Sequence, residues 1–188
     1  LLEAPVLALV LAFFLRYSPT AEYIFQKNQN IPSYLFMSII VALFMGLTVS
    51  AEEIIKDKKI LKRESFLNLS KNSYLTSKII TQFAISALQT FLFVIVGNTL
   101  LGLEGMYLTF WLILFTTSAF ANLLALNFSA TMNSVVTVYI LIPFLLIPQL
   151  LLSGVVVKFD QLNRSIRNEV DVPIMGDLMV SRWALEAS

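Results

Sequence analysis

Long apolar runs alternate with short polar connections along this chain. Four runs, Tyr34–Ser50, Ile79–Leu101, Met106–Phe128 and Val135–Val157, meet or approach the roughly 20 helical residues needed to cross about 30 Å of hydrocarbon. An opening apolar segment, Ala4–Leu15, has 12 residues and would rise about 18 Å as a helix. It reads as the second half of a span whose start lies upstream, with a buried half-helix as the alternative. The rhythm changes over 52–72, where Ile54, Ile55, Ile60, Leu61 and Leu67 recur among charges at roughly helical spacing. That pattern predicts an amphipathic helix, or two short ones, lying along a membrane face. The expected fold is therefore all-α: a polytopic transmembrane helix bundle of five spans or partial spans, in one domain over 1–188.

Composition supports a membrane setting and removes most chemistry. Of the 188 residues, 57% are hydrophobic and 13% charged, against about a quarter charged in soluble domains. Mean hydropathy is +0.80. That apolar excess cannot hide inside one small core, so part of it must face lipid. The chain has no cysteine and no histidine. Disulfides, thiol nucleophiles and imidazole bases or metal ligands are thereby excluded. A net charge of +1 without a long basic stretch argues against nucleic acid as a partner. There is no G-x-x-x-x-G-K-[ST] phosphate loop, so ATP hydrolysis by this chain is not expected.

Charge distribution orients the spans. Residues 51–78 carry Lys56, Lys58, Lys59, Lys62, Arg63, Lys71 and Lys78, whereas 16–33 hold only Arg16 and Lys27. The turn Gly102–Gly105 and the segment Ser129–Ser134 have no basic residue. The positive-inside bias places 51–78 in the cytoplasm. Alternation then puts 16–33, 102–105 and 158–188 outside, although Lys158, Arg164, Arg167 and Arg182 lie in the last segment. The expected location is a cell membrane, plasma or inner. Tyr34, Tyr107 and Trp111 would form an outer aromatic belt. No signal peptide is evident. The chain opens without Met and stops where another apolar stretch would begin, so more sequence is expected on both sides.

Polar residues inside the spans need partners. Gln82, Ser86 and Gln89 share one helical face of the third span, which also contains Thr81, Thr90 and Asn98; the fourth contains Thr116, Thr117, Ser118 and Asn122. Such groups face either neighbouring helices, at about 0.6 kcal/mol per hydrogen bond, or a wet cavity. Pro143 and Pro148 lack backbone donors and are expected to bend or loosen the fifth span beside Gln149. The 51–78 loop exceeds what a plain turn needs. Its basic residues suit anionic lipid, while their mixture with Asp and Glu also suits a protein docking surface.

Several short motifs occur in a telling order. They are Ser50-Ala51-Glu52-Glu53, Lys62-Arg63-Glu64, Asn72-Ser73-Tyr74-Leu75-Thr76-Ser77-Lys78, Ile147-Pro148-Gln149-Leu150-Leu151-Leu152-Ser153-Gly154 and Ser181-Arg182-Trp183-Ala184-Leu185-Glu186-Ala187. Together, over about 34–188, they resemble the membrane domain of ATP-binding-cassette exporters, and within these the White-like G subfamily. That family leaves its second span with Glu, passes an Arg/His-Glu pair, enters the third through Ser-Tyr-x-x-x-Lys, ends the fifth on Ser-Gly and precedes the sixth with Arg-Trp/Tyr-x-x-Glu-Ala. The outer segment 158–173 has no counterpart motif, and a sixth span does not appear in this sequence.

The resemblance implies specific roles. Lys58, Lys59, Lys62, Arg63, Glu64 and Phe66 would form a coupling helix touching an ATPase domain. Glu53 would join a polar relay at the cytoplasmic end of the second span. Ile147, Gln149 and Leu150 would line a substrate cavity at a two-fold interface with a second copy of the membrane domain. Val155 and Val156 would form an apolar valve, and 174–187 an outer re-entrant helix. ATP and Mg would sit on the partner nucleotide-binding domain, in the same chain or complex, with no cofactor on this chain. The function expected is an ATP-driven export pathway. A non-transporting membrane anchor or assembly subunit is the alternative, one that needs the basic loop only for docking. A channel would lack an obvious source of selectivity, since no span carries a charged residue beyond Glu3.

Overall fold

The computed structural model describes residues 2–16, 30–64, 70–103, 105–153 and 174–188. Among these residues there are eight helices and no strand. They are α1 (Glu3–Leu15), α2 (Ile31–Ser50), α3 (Glu53–Glu64), α4 (Lys71–Leu101), α5 (Tyr107–Thr131), α6 (Val135–Leu151), α7 (Ile174–Asp177) and α8 (Val180–Ala187). Three stretches, Ile31–Arg63, Asn72–Leu101 and Tyr107–Thr131, are long and apolar enough to cross a membrane, and Glu3–Leu15 and Val135–Leu151 are shorter apolar helices. The first stretch includes α3, which leaves α2 through a turn at Ala51–Glu52.

Local chemistry sets the helix ends. Pro32 stands in the first turn of α2, where its missing N–H costs nothing. Ser70 caps α4, its hydroxyl accepting the Ser73 amide at 3.4 Å. Gly102 closes α4 with φ 64°, a left-handed conformation that glycine adopts without a Cβ penalty. Leu103 N then donates to Asn98 O at 3.0 Å, the six-to-one bond of a Schellman end. α4 has 31 residues, or about 46 Å of helix. It begins at Lys71, within the stretch expected to be loop, and its first two turns project beyond the expected span.

Helix α2 packs most extensively on α5, and α1 on α4. Along α2 and α5 the contacts run in the same order: the Tyr34 and Phe110 rings, 6.1 Å apart, then Gly46 against Ser118, Ser50 to Asn122 and Ile54 to Ser129. The two helices therefore run parallel. Small residues make this close; a Cβ on Gly46 would stand 2.5 Å from Ser118 O. In α1, Ala4, Ala8 and Ala12 are fully buried while Val6, Phe13 and Phe14 are exposed. That is the small-residue stripe by which membrane helices approach closely. One apolar cluster joins α1, α2, α4 and α5 around Tyr34, Phe93, Phe110 and Leu114. A second joins α2, α5 and α6 through Leu43, Leu47, Ala121, Val138 and Ile142.

The polar face of α4 does turn inward: Gln82, Ser86 and Gln89 are all buried. Asn122 of α5 bridges the three helices. Its Nδ2 donates to Ser86 Oγ at 2.7 Å and to Gln82 O at 3.4 Å, and its Oδ1 accepts from Ser50 Oγ at 3.1 Å.

Three expectations change. Tyr34 is not part of a lipid-facing belt: it is fully buried, because Gly97 leaves room for its ring end and Asn98 Oδ1 accepts from its hydroxyl at 3.5 Å. Helix α6 ends at Leu151, short of the Val157 expected, with Pro143 and Pro148 inside it. Leu152 N and Ser153 Oγ, each donating at 2.9 Å to Pro148 O and Leu150 O, close that end. The stretch expected as one outer helix over 174–187 is two, α7 and α8.

Candidate functional site

The ends of α2, α4, α5 and α6 converge on α3 and the turn before it. On one side, Lys78 Nζ of α4 donates to Glu53 Oε2 at 2.8 Å and lies 2.9 Å from Asp57 Oδ2. Tyr74 Oη donates to the same Asp57 oxygen at 2.9 Å. Glu53 and Asp57 are one turn apart on α3, as Tyr74 and Lys78 are on α4, so two helical faces meet as a pair of pairs. The Lys78 hydrogen bond holds the Asp57 carboxyl below its ordinary value. Lys78 is in turn raised, chiefly by its hydrogen bond to Glu53.

On the other side, Ser129 Oγ of α5 accepts the backbone amides of both Ile54 and Ile55 at 3.1 Å. Lys58 Nζ donates to Met132 O, the residue that ends α5. A cation there suits the negative end of the α5 dipole. At the α2–α3 turn, Glu52 Oε1 accepts from Tyr139 Oη of α6 at 2.7 Å, and its other oxygen pairs with Lys56. Those bonds, the Lys56 one first, lower the Glu52 carboxyl.

The residues singled out in the sequence divide accordingly. Lys58 faces the bundle and Glu53 is engaged with Lys78. Lys59, Lys62 and Arg63 are exposed. With Lys56 and Ile60 they form a basic face pointing away from the bundle. The Glu64 side chain, Phe66, Val155 and Val156 lie outside the described residues. On α6, Val136, Ile140, Phe144, Ile147 and Leu151 form one exposed apolar stripe, while Leu150 is half-buried. Gln149 turns from that stripe to α8: its Oε1 accepts from Ser181 N at 3.0 Å, and its carbonyl from Ser181 Oγ at 2.8 Å. A last-turn carbonyl without an intrahelical partner is satisfied in this way.

Asp57, Ser129 and Tyr139 were not singled out in the sequence, and Tyr74 entered only within the Ser-Tyr-x-x-x-Lys motif. The i, i+4 spacings Glu53/Asp57 and Tyr74/Lys78 were a readable signal for a charged contact between helices. Nothing local marked Ser129 or Tyr139.

The model of the ABC-2 type transporter family matches residues 3–169. The chain belongs to the ABC-2 type transporter family. Neither curated proteins nor solved structures give a match. As an ABC-2 membrane domain the chain is a multi-pass membrane protein and a permease component.

Proposed function

We propose that this ABC-2 domain is the export pathway of an ATP-driven transporter of the White-like G kind, and that α3 is its coupling helix. The observation that carries the reading is the bonding of α3 to the ends of α4 and α5, and of the turn before it to α6, with a basic face left outward. That face, Lys56, Lys59, Lys62 and Arg63 around Ile60, is the docking surface for the nucleotide-binding domain. ATP and Mg are held there and ATP is hydrolysed there, in the same polypeptide or complex, and not by this chain. The basic end is cytoplasmic, in a plasma or inner membrane.

Closure of paired ATPase domains pushes α3, and the junction passes the displacement into the spans. Such a transition needs two packings of similar energy whose balance nucleotide shifts. The exposed stripe Val136–Ile140–Phe144–Ile147 of α6 lies against a second copy of the domain and lines the cargo path. An apolar wall there suits a lipid-like or amphipathic cargo.

The test is charge reversal on α3 in the parent transporter, reconstituted in liposomes. Arg63→Glu and Glu64→Arg are expected to abolish transport while ATP hydrolysis persists. Unchanged transport in both overturns the reading and leaves the membrane anchor as the function.

A further inference from the structure

The turn from α2 into α3 is held by a residue of a third helix. In a continuous α-helix the amides of Ile54 and Ile55 would donate to the carbonyls of Ser50 and Ala51. Here both are directed to Ser129 Oγ at 3.1 Å. Ile54 and Ile55 are the second and third residues of α3, the positions whose amides an N-cap side chain ordinarily accepts. The residue that precedes α3, Glu52, uses its carboxylate on Lys56 and Tyr139 instead. Ser129 thus performs the capping from α5. Ser129 is completely buried, as is Ala51 at the turn, and the bond to Ile54 is buried while that to Ile55 is partly so.

We propose that Ser129 is a positioning residue: it sets the angle between α2 and α3 and makes α5 part of the unit that α3 moves. One turn along, the Lys58 bond to the end of α5 holds α3 against the same helix. The parallel run of α2 and α5, close at Gly46–Ser118 and bonded at Ser50–Asn122, extends the attachment into the spans. α2, the base of α3 and α5 then shift together. Among the described residues α6 meets this unit through the Tyr139–Glu52 side-chain bond and the apolar packing of Val138, Ile142, Leu145 and Leu146 on α2 and α5. The relative movement falls between α5 and α6, at Met132–Ser134.

The inference rests on α3 being the coupling helix only for its functional consequence; the capping is testable alone. In the wild-type transporter, the Ile54 and Ile55 amides are expected to exchange with deuterium at least tenfold more slowly than first-turn helix amides without a cap. Fast exchange of both in the wild type overturns the proposal without any variant. Ser129→Ala is expected to accelerate these two amides at least tenfold while the interiors of α2 and α5 keep their rates, and Ser129→Thr, which retains the oxygen, is expected to restore protection. Uniform acceleration across α2 and α5 in Ser129→Ala, with no rescue by Thr, identifies a purely structural role and overturns the proposal. The movement is read separately. With cysteines elsewhere in the transporter replaced, spin labels at Ile60→Cys with Asn127→Cys, or with Val136→Cys, report the distances within this cysteine-free domain. Between nucleotide-free and ATP-bound states the first distance is expected to hold and the second to change; the reverse overturns the proposal. If Arg63→Glu and Glu64→Arg leave transport intact while the Ser129 results hold, the coupling reading fails and the capping stands.

Discussion

The Cβ that Gly97 lacks would stand 2.0 Å from the hydroxyl of Tyr34 and 3.1 Å from its Cζ. Tyr34 is fully buried, so its ring has no direction in which to yield. Gly97→Ala is expected to lower stability by about 2 kcal/mol or more, the range of core overpacking. Tyr34→Phe in that background should recover part of the loss by removing the nearest atom. Tyr34→Phe alone should cost less than about 1 kcal/mol, since the bond to Asn98 is long at 3.5 Å. Thermal unfolding of the four proteins in detergent closes the cycle, and an undisturbed Gly97→Ala would sink it.

Asn122 of α5 hydrogen-bonds to both α2 and α4. Asn122→Leu would leave Ser50 and Ser86 without their shared partner in a buried position. A loss of about 1–3 kcal/mol is expected, the range for stranding buried polar groups. Ser86→Ala removes only one end and should cost less. Equal unfolding midpoints for Asn122→Leu and the wild type would contradict this.

The Glu53–Asp57–Lys78 contact has a definite pH signature. Asp57 is held below its ordinary value by Lys78. Its stabilisation is therefore complete above the unfolded-chain value of about 3.9 and fades as pH falls through the lower folded value. Lys78 is raised, so its contribution is complete below about 10.4 and fades as pH rises through the higher folded value. The side chains are about a quarter exposed, which keeps each contribution to about 1 kcal/mol or less. Lys78→Met should flatten both limbs of the unfolding midpoint against pH, and Asp57→Asn mainly the acid limb. A Lys78→Met profile parallel to the wild type would refute the assignment.

The tether of α8 is short and specific. With eight residues it is below the length at which a helix holds by itself in water. Gln149→Leu with Ser181→Ala removes both bonds to α6. Amide exchange over 180–187 is expected to rise at least tenfold, with little change in the midpoint of the bundle, because α8 packs at its margin against α2, α5 and α6. Retained protection would show that the Ala184 contact alone suffices.

Much of this architecture was legible in one dimension, and the reason is solvent. A helix in hydrocarbon must satisfy its backbone internally and show apolar side chains outward, so span positions are written in composition and run length. The amphipathic α3 was legible for the same reason, its Ile54–Leu61 pattern recording a boundary between two solvents. The inward face Gln82–Ser86–Gln89 was legible because polar groups in lipid require partners. Tyr34 was misplaced by this logic. An aromatic near a span end has the same sequence signature whether it meets headgroups or a glycine on the next helix.

The sequence by itself therefore determined the class of fold, the order of the spans, the charged end and, through its short motifs, the transporter family. Tertiary structure alone decided which helices are neighbours: that α2 and α5 run parallel, that Asn122 unites three helices, that Gln149 reaches α8, and that Ser129 caps a helix it does not belong to. The physical reason is range. Burial and backbone satisfaction act residue by residue against the solvent. A hydrogen bond between residues 75 positions apart in the chain exists only after packing has brought its donors and acceptor within about 3 Å.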